Sequence, residues 1–113
     1  MDQSSFEFPN AITKLSKANI PLDGCTAFLV QGENEQILFM QFEKTVELPE
    51  HSHDAQWGIV LSGEIELEID GEKTIYRKGD NYYIEKGISH KGKIFAGYSD
   101  ITYFNQKDRY KKY

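Results

Sequence analysis

The chain has 113 residues, 39% of them hydrophobic and 27% charged, with a formal net charge of −5. That is enough for one domain with one core, and the balance is that of a globular rather than a disordered chain. The acidic balance argues against nucleic acid, whose phosphates require a basic surface. The lack of any apolar run of about 18 residues argues against a membrane span.

Cys25 is the only cysteine, so no internal disulfide can form. The opening MDQSSFEFPN has neither a basic nor an apolar leader region. Both features suit a cytoplasmic protein.

In chain order, residues 1–8 read as a loose or docked arm. Asn10 then precedes AITKLSKAN, where Ala11, Ile12, Leu15 and Ala18 recur at helical spacing, so a short helix capped by Asn10 is expected. Ile20-Pro21 closes it and Leu22-Asp23-Gly24 turns the chain. Residues 1–24 therefore form the arm and short helix, 25–105 a β-domain, and 106–113 a basic C-terminal tail.

From Cys25 onward the pattern is of short strands between turn residues. CTAFLVQ runs to Gly32-Glu33-Asn34, QILFMQFEKTVEL to Pro49, and QWGIVLS to Gly63. EIELEID ends at Asp70-Gly71, a strong hairpin signal. KTIYRK, NYYIEK and KIFAGYSDITYF complete the series. In EIELEID, Ile65, Leu67 and Ile69 share one face while Glu64, Glu66, Glu68 and Asp70 share the other, as in a half-buried antiparallel strand. The expected class is all-β, a sandwich or barrel. The tail NQKDRYKKY is either a docking or anion-attracting segment or a solvated end.

Only three histidines occur: His51, His53 and His90. Residues i and i+2 of a strand project to one face, so the first two can converge. A third imidazole from elsewhere would complete three ligands around a divalent metal and leave an open position, the arrangement of a reactive site. The competing reading is a buried cluster of neutral histidines, which is costly unless each ring nitrogen finds a hydrogen bond.

Two stretches together resemble the paired motifs of the cupin family. His51-Ser52-His53 is followed by Gln56 three residues on and by Gly63 seven beyond that. Gly79 leads to Glu85, Gly87 and His90 at the spacing of the second motif. The resemblance runs from Gln36 to Tyr103. It departs from the family at Thr45, Glu85 and Ile94, where glycine, proline and asparagine are usual, and at Gln56, which stands where a glutamate ligand is usual.

The resemblance implies a cupin-type double-stranded β-helix, a jelly-roll barrel over residues 25–105, with metal on His51, His53, Gln56 and His90. It also implies frequent homodimerisation. Gln56 offers a neutral carbonyl oxygen in place of an anionic one. The ligand shell then carries no formal negative charge, which favours anionic ligands and weakens the hold on Mn²⁺. Imidazole-rich sites suit Zn²⁺, Fe²⁺ or Ni²⁺. The other reading of Gln56 is a hydrogen bond to a strand edge or water.

Trp57 should point away from Gln56, into packing or a dimer interface. Phe39, Phe42, Tyr82, Tyr83, Phe95 and Tyr103 read mostly as core aromatics, with one or two walling a cavity, and Met40 reads as a gap-filler. Asp54 and Glu64 read as solvent-facing, and Cys25 as a small buried residue. No acid or base stands out. The function expected is a metal-binding small cupin, a metalloenzyme of dioxygenase, isomerase or cyclase type acting on a small organic molecule. The alternative is a non-catalytic metal- or ligand-binding sensor module.

Overall fold

The computed structural model describes residues 6–113. A single helical turn, α1 (Asn10–Thr13), precedes eleven strands: β1 (Ser16–Asn19), β2 (Cys25–Gln31), β3 (Gln36–Phe42), β4 (Val46–His51), β5 (Gln56–Ser62), β6 (Glu64–Ile69), β7 (Glu72–Arg77), β8 (Asn81–Ile84), β9 (His90–Ile94), β10 (Ser99–Phe104) and β11 (Lys111–Lys112). One sheet has the order β11-β1-β2-β3-β10-β5-β8 and the other β4-β9-β6-β7. Every ladder is antiparallel. The two sheets enclose one core, the jelly-roll solution to the half-buried strand pattern.

Period-two alternation sets which side chains enter that core. Along β3 every second residue, from Gln36 through Leu38 and Met40 to Phe42, is buried. On β6 Ile65 and Leu67 are buried from the opposite sheet, while Glu64 and Glu66 point outward to Arg77 and Lys73 of β7. The β6–β7 turn is the one expected. Asp70 has φ 51° and Gly71 φ 84°, the two positive values that a two-residue type I′ hairpin requires.

Two long runs of the sequence each divide into two strands. QILFMQFEKTVEL splits into β3 and β4, which lie in different sheets. KIFAGYSDITYF likewise splits between β9 and β10. The corners are held together by Phe42 N–H donating to the Tyr98 carbonyl at 2.9 Å and Gly97 N–H to the Phe42 carbonyl at 2.9 Å. Gly63 is part of this corner. Its φ is 71°, and a Cβ there would lie 2.6 Å from the Tyr98 Cα, so both conformation and space demand glycine.

The N-terminal helix expected over AITKLSKAN is only one turn, with Pro9 rather than Asn10 at its N-cap and no side-chain cap. Its second half is β1, pairing Ser16 with Leu29 and Ala18 with Lys112. A helix of this length gains too few hydrogen bonds to offset nucleation, whereas pairing satisfies the backbone and lets Ala18 and Ile20 enter the core. The arm is docked where it is described. Phe8 is buried, edge-on to Phe28 and Phe39. Residues 1–5 of that expected arm lie outside the described residues.

The tail is held to the barrel at Tyr110, while Lys107, Asp108 and residues 111–113 are exposed. Gln36, fully buried, donates from Nε2 to the Tyr110 carbonyl at 2.7 Å and accepts the Tyr110 N–H at 3.0 Å. That reciprocal bond folds the C-terminal segment over one end of the barrel. Among the described residues no helix is long and apolar enough to cross a membrane.

Candidate metal centre

His51 ends β4 and His90 begins β9, and the two are register partners across that ladder. His53 lies two residues beyond β4, in the connection to β5. The three rings converge, with centroids 4.2 Å apart for His51 and His90, 4.7 Å for His53 and His90, and 5.2 Å for His51 and His53. One ligand atom from each lies within 4.8 Å of the other two, a spacing that could hold a metal ion.

The hydrogen bonds of the three rings fix which atoms those are. His51 Nδ1 lies 2.7 Å from the Pro49 carbonyl, His53 Nδ1 2.6 Å from the Asp54 carbonyl, and His90 Nδ1 3.0 Å from the Ile88 carbonyl. A carbonyl can only accept, so each Nδ1 carries the hydrogen and donates it. In the neutral ring the lone pair then sits on Nε2, the arrangement that metal-binding imidazoles take when a second partner holds the far nitrogen.

Burial also keeps rings neutral. It pushes His53 down to about 4, helped by the Arg109, His90 and His51 charges and opposed by the bond to Asp54. His90 is lowered for the same first reason, with His51 and Arg109 adding to it. Neutral rings need lose no proton to bind a cation. The residues present therefore fit a divalent metal. A histidine cluster kept only for packing would have no reason to bring one nitrogen of each ring within 4.8 Å of the others.

The triad opens into a cavity of about 210 Å³ that Gln56, Tyr82, Asp100, Phe104, Arg109 and Tyr110 also line, with Met40, Leu67, Ile84 and Ile94 among its apolar walls. Gln56, the first residue of β5, thus shares the cavity with the three histidines. Met40, expected only to fill a gap, is also a wall. A larger groove of about 470 Å³ on the outside, lined by Phe6, Gln41 and Gly97, holds no histidine.

Around Asp100, one of the cavity's lining residues, is a polar cluster that the sequence reading did not single out. Asp100 is 1% exposed and Thr102 fully buried, both on the inward face of β10. Tyr98 donates its hydroxyl to Asp100 Oδ2 at 2.6 Å, whereas Asp100 Oδ1 and Thr102 Oγ1 have no partner. Burial pushes the Asp100 carboxyl up to about 7, moderated by the Tyr98 and Thr102 hydroxyls leaning toward it. Burial likewise raises Tyr82 and Tyr98, so both phenols stay protonated. The Tyr82 hydroxyl sits among Tyr98, Thr102 and Gln56, which links the cluster to the mouth of the triad.

A polar Asp-x-Thr on the inward side of an otherwise apolar strand, SDITYF, was the available signal for Asp100. Arg109 and Tyr110 gave none, because nothing local says that a polar tail returns to the barrel.

The other expected positions divide. Trp57 points outward, opposite Gln56, and is 38% exposed. Phe42 and Tyr82 are core aromatics, but Tyr83 and Tyr103 lie on the outer face of the larger sheet. They flank Trp57 there in register, since β10 and β8 pair with β5 so that Tyr103 and Tyr83 both oppose Trp57. Asp54 pairs with Lys86 at 3.6 Å and Glu64 with Arg77 at 2.7 Å, both at the surface. The Cys25 thiol is pushed up to about 12 by burial first and Asp100 second, so it is inert.

The family model described as "Cupin domain" matches residues 38–97. No curated protein matches the chain. Among solved structures, an RmlC-like cupin from Shewanella frigidimarina NCIMB 400 is 20% identical and superposes with a TM-score of 0.72, covering 93% of this chain and 92% of that one. KdgF from Halomonas sp. is also 20% identical, with a TM-score of 0.69 over 81% of this chain and 88% of that one. An oxalate decarboxylase from Bacillus subtilis is 19% identical with a TM-score of 0.67, over 85% of this chain but 28% of that one. Identities this low establish a shared fold and nothing of shared chemistry.

Proposed function

The chain belongs to the cupin family, and from that premise we propose that it is a small metalloenzyme in which His51, His53 and His90 hold one divalent cation. Gln56 completes the set with a neutral carbonyl oxygen, and a small organic molecule enters the barrel to react. The observation that carries this reading is the common state of the three rings, each with Nδ1 tied to a carbonyl and Nε2 left free. A cation there would supply Lewis acidity and, if redox-active, oxidising or isomerising chemistry. Zn²⁺ or Fe²⁺ fits an imidazole-rich, uncharged shell better than Mn²⁺ does, with Ni²⁺ acquired readily in recombinant material.

The chain's own residues supply the rest. Apolar walls exclude water and hold the ligand's hydrocarbon frame. The Asp100 carboxyl, pushed up to about 7, lines the same cavity near the Tyr98 and Tyr82 phenols. A group that is close to half-protonated near neutrality can hold or release a proton as the bound molecule changes charge. This supports catalysis of the dioxygenase, isomerase or cyclase class over simple storage of a ligand.

Homodimerisation belongs to the same proposal. The exposed row Tyr103, Trp57 and Tyr83 on the larger sheet offers an apolar face for a second copy. A reducing, cytoplasmic setting suits the lone, protonated Cys25.

The test is to supply metal-loaded protein with small phenols, diketones and organic acids under air. Oxygen uptake or product formation that disappears in His53→Ala supports the enzyme. Saturable binding with no turnover across the panel would replace it with the binding module.

A further inference from the structure

The tail contributes a cation to the cavity. Arg109 lines both the 210 Å³ cavity of the histidines and a shallower cleft outside it with Ser52, His53 and Lys86. Its guanidinium lies 4.7 Å from the Tyr110 ring centroid and 5.8 Å from that of Phe104, stacked on both. Phe104 in turn packs edge-on against His53 at 5.5 Å. The aromatic rings thus hold the guanidinium beside the triad.

What the guanidinium lacks is an anion. Among the described residues no side-chain hydrogen bond or ion pair involves Arg109, and its Nε is buried without a partner. Asp54, the acid that lines that outer cleft, is paired with Lys86. Among the described residues Asp100 is the only carboxyl lining the cavity, where it accepts from Tyr98, and burial raises it to about 7. Gln56, the other polar side chain beside the histidines, brings no negative charge. A net −5 protein therefore concentrates positive charge, a guanidinium and the cation proposed above, at one barrel mouth with almost no protein anion to balance it. Unpaired buried donors are costly unless a ligand completes them.

Resting on the metal-site reading above, we infer that Arg109 is the anion anchor of this cavity and that the molecule it receives is a small organic carboxylate. The carboxyl group meets the guanidinium fork at the mouth, beside the histidines. The rest of the molecule lies against the apolar walls. A guanidinium matches the planar carboxylate with two parallel hydrogen bonds, which a lysine could not do. The apolar lining favours a hydrocarbon frame over a bare inorganic oxyanion. In this account the reciprocal Gln36–Tyr110 bond is what sets Arg109 in place, and it makes the C-terminal segment part of the binding site.

The experiment is calorimetric titration of the full, zinc-loaded chain with benzoate and acetate, beside benzamide and inorganic phosphate. We expect one benzoate per chain, with benzamide at least about tenfold weaker. In Arg109→Gln the benzoate affinity should fall about 10- to 100-fold, the scale of a lost charge-assisted bond, with zinc content unchanged. Arg109→Lys, which keeps the charge but not the fork, should fall in between. It carries the comparison if the glutamine variant does not fold. Benzoate binding unaltered in both variants would overturn the inference, as would equal binding of benzamide, failure of both carboxylates to bind the wild type, or phosphate binding more tightly than either. A wild type that retains no zinc would instead defeat the metal reading. The same titrations on metal-free protein then decide the anchor, because Arg109 should still govern the affinity for benzoate.

Discussion

Replacing Asp100 by asparagine should make the protein more stable at pH 8 than the wild type, and the gain should vanish in acid. The carboxyl is 1% exposed and its pKa rises from the ordinary 3.8 to about 7. Between those two values the unfolded chain is ionised at this position while the folded chain keeps its proton. The folded state binds more protons there, so stability falls as pH rises through the window and the loss is complete above pH 7. The size of that loss is about 4 kcal/mol.

Asparagine retains an oxygen to accept from Tyr98 and has no proton to lose. The difference in unfolding free energy between Asp100→Asn and wild type should therefore be near zero at pH 4 and reach up to about 4 kcal/mol by pH 8. Urea denaturation of both chelator-treated proteins across pH 4–8 measures it, and the titrations of all other groups cancel in the comparison. A difference that stays flat over that range would refute the reasoning, because it would mean that Asp100 ionises as easily in the fold as outside it.

Other outcomes follow from single features. Gly63→Ala should cost at least about 2 kcal/mol in chemical denaturation, because its φ of 71° disfavours a side chain and the new Cβ would press on the Tyr98 backbone. Gln56→Glu should tighten Mn²⁺ by about tenfold or more, since one added charge at contact distance is worth about 1–4 kcal/mol, and should move the metal preference toward Mn²⁺, which favours carboxylate oxygen more than Zn²⁺ does. An unchanged preference would show that residue 56 does not touch the cation. Metal retention should persist in acid. With His53 held down at about 4 and His90 lowered, protons compete for these rings only as pH falls through the lowered values. Dialysis at about pH 5 should leave most of the metal in place, whereas loss on passing about pH 6.5, where ordinary imidazoles titrate, would contradict the assigned environment.

Much of the barrel was legible because its signals are local. Alternation in EIELEID, paired positive-φ residues at Asp70-Gly71 and the glycine at 63 each act within a few residues. The triad was legible for a different reason: three histidines fell on two spaced motifs, and strand pairing of β4 with β9 then brings His51 and His90 together.

The pieces misread or left open all depend on distant partners. Ser16–Asn19 has a helical pattern but meets β2 and the C-terminal strand. The tail reads either as a docking segment or as a solvated end, and what ties it down at Tyr110 is Gln36, 74 residues away. Tyr83 and Tyr103 look like core until register places them beside Trp57 on the outer face. Asp100 is the instructive case, since a lone carboxylate within a β-pattern normally faces water, and here it is enclosed with two tyrosines.

The most direct test is X-ray absorption at the metal edge, with elemental analysis, on protein purified without a metal-affinity step. A metal site on the three histidines requires about one metal per chain coordinated by three imidazole nitrogens at about 2.0–2.1 Å, with most of the metal lost in a folded His90→Ala variant. A wild-type protein that takes up no metal, or that binds it without those three nitrogens, would contradict it.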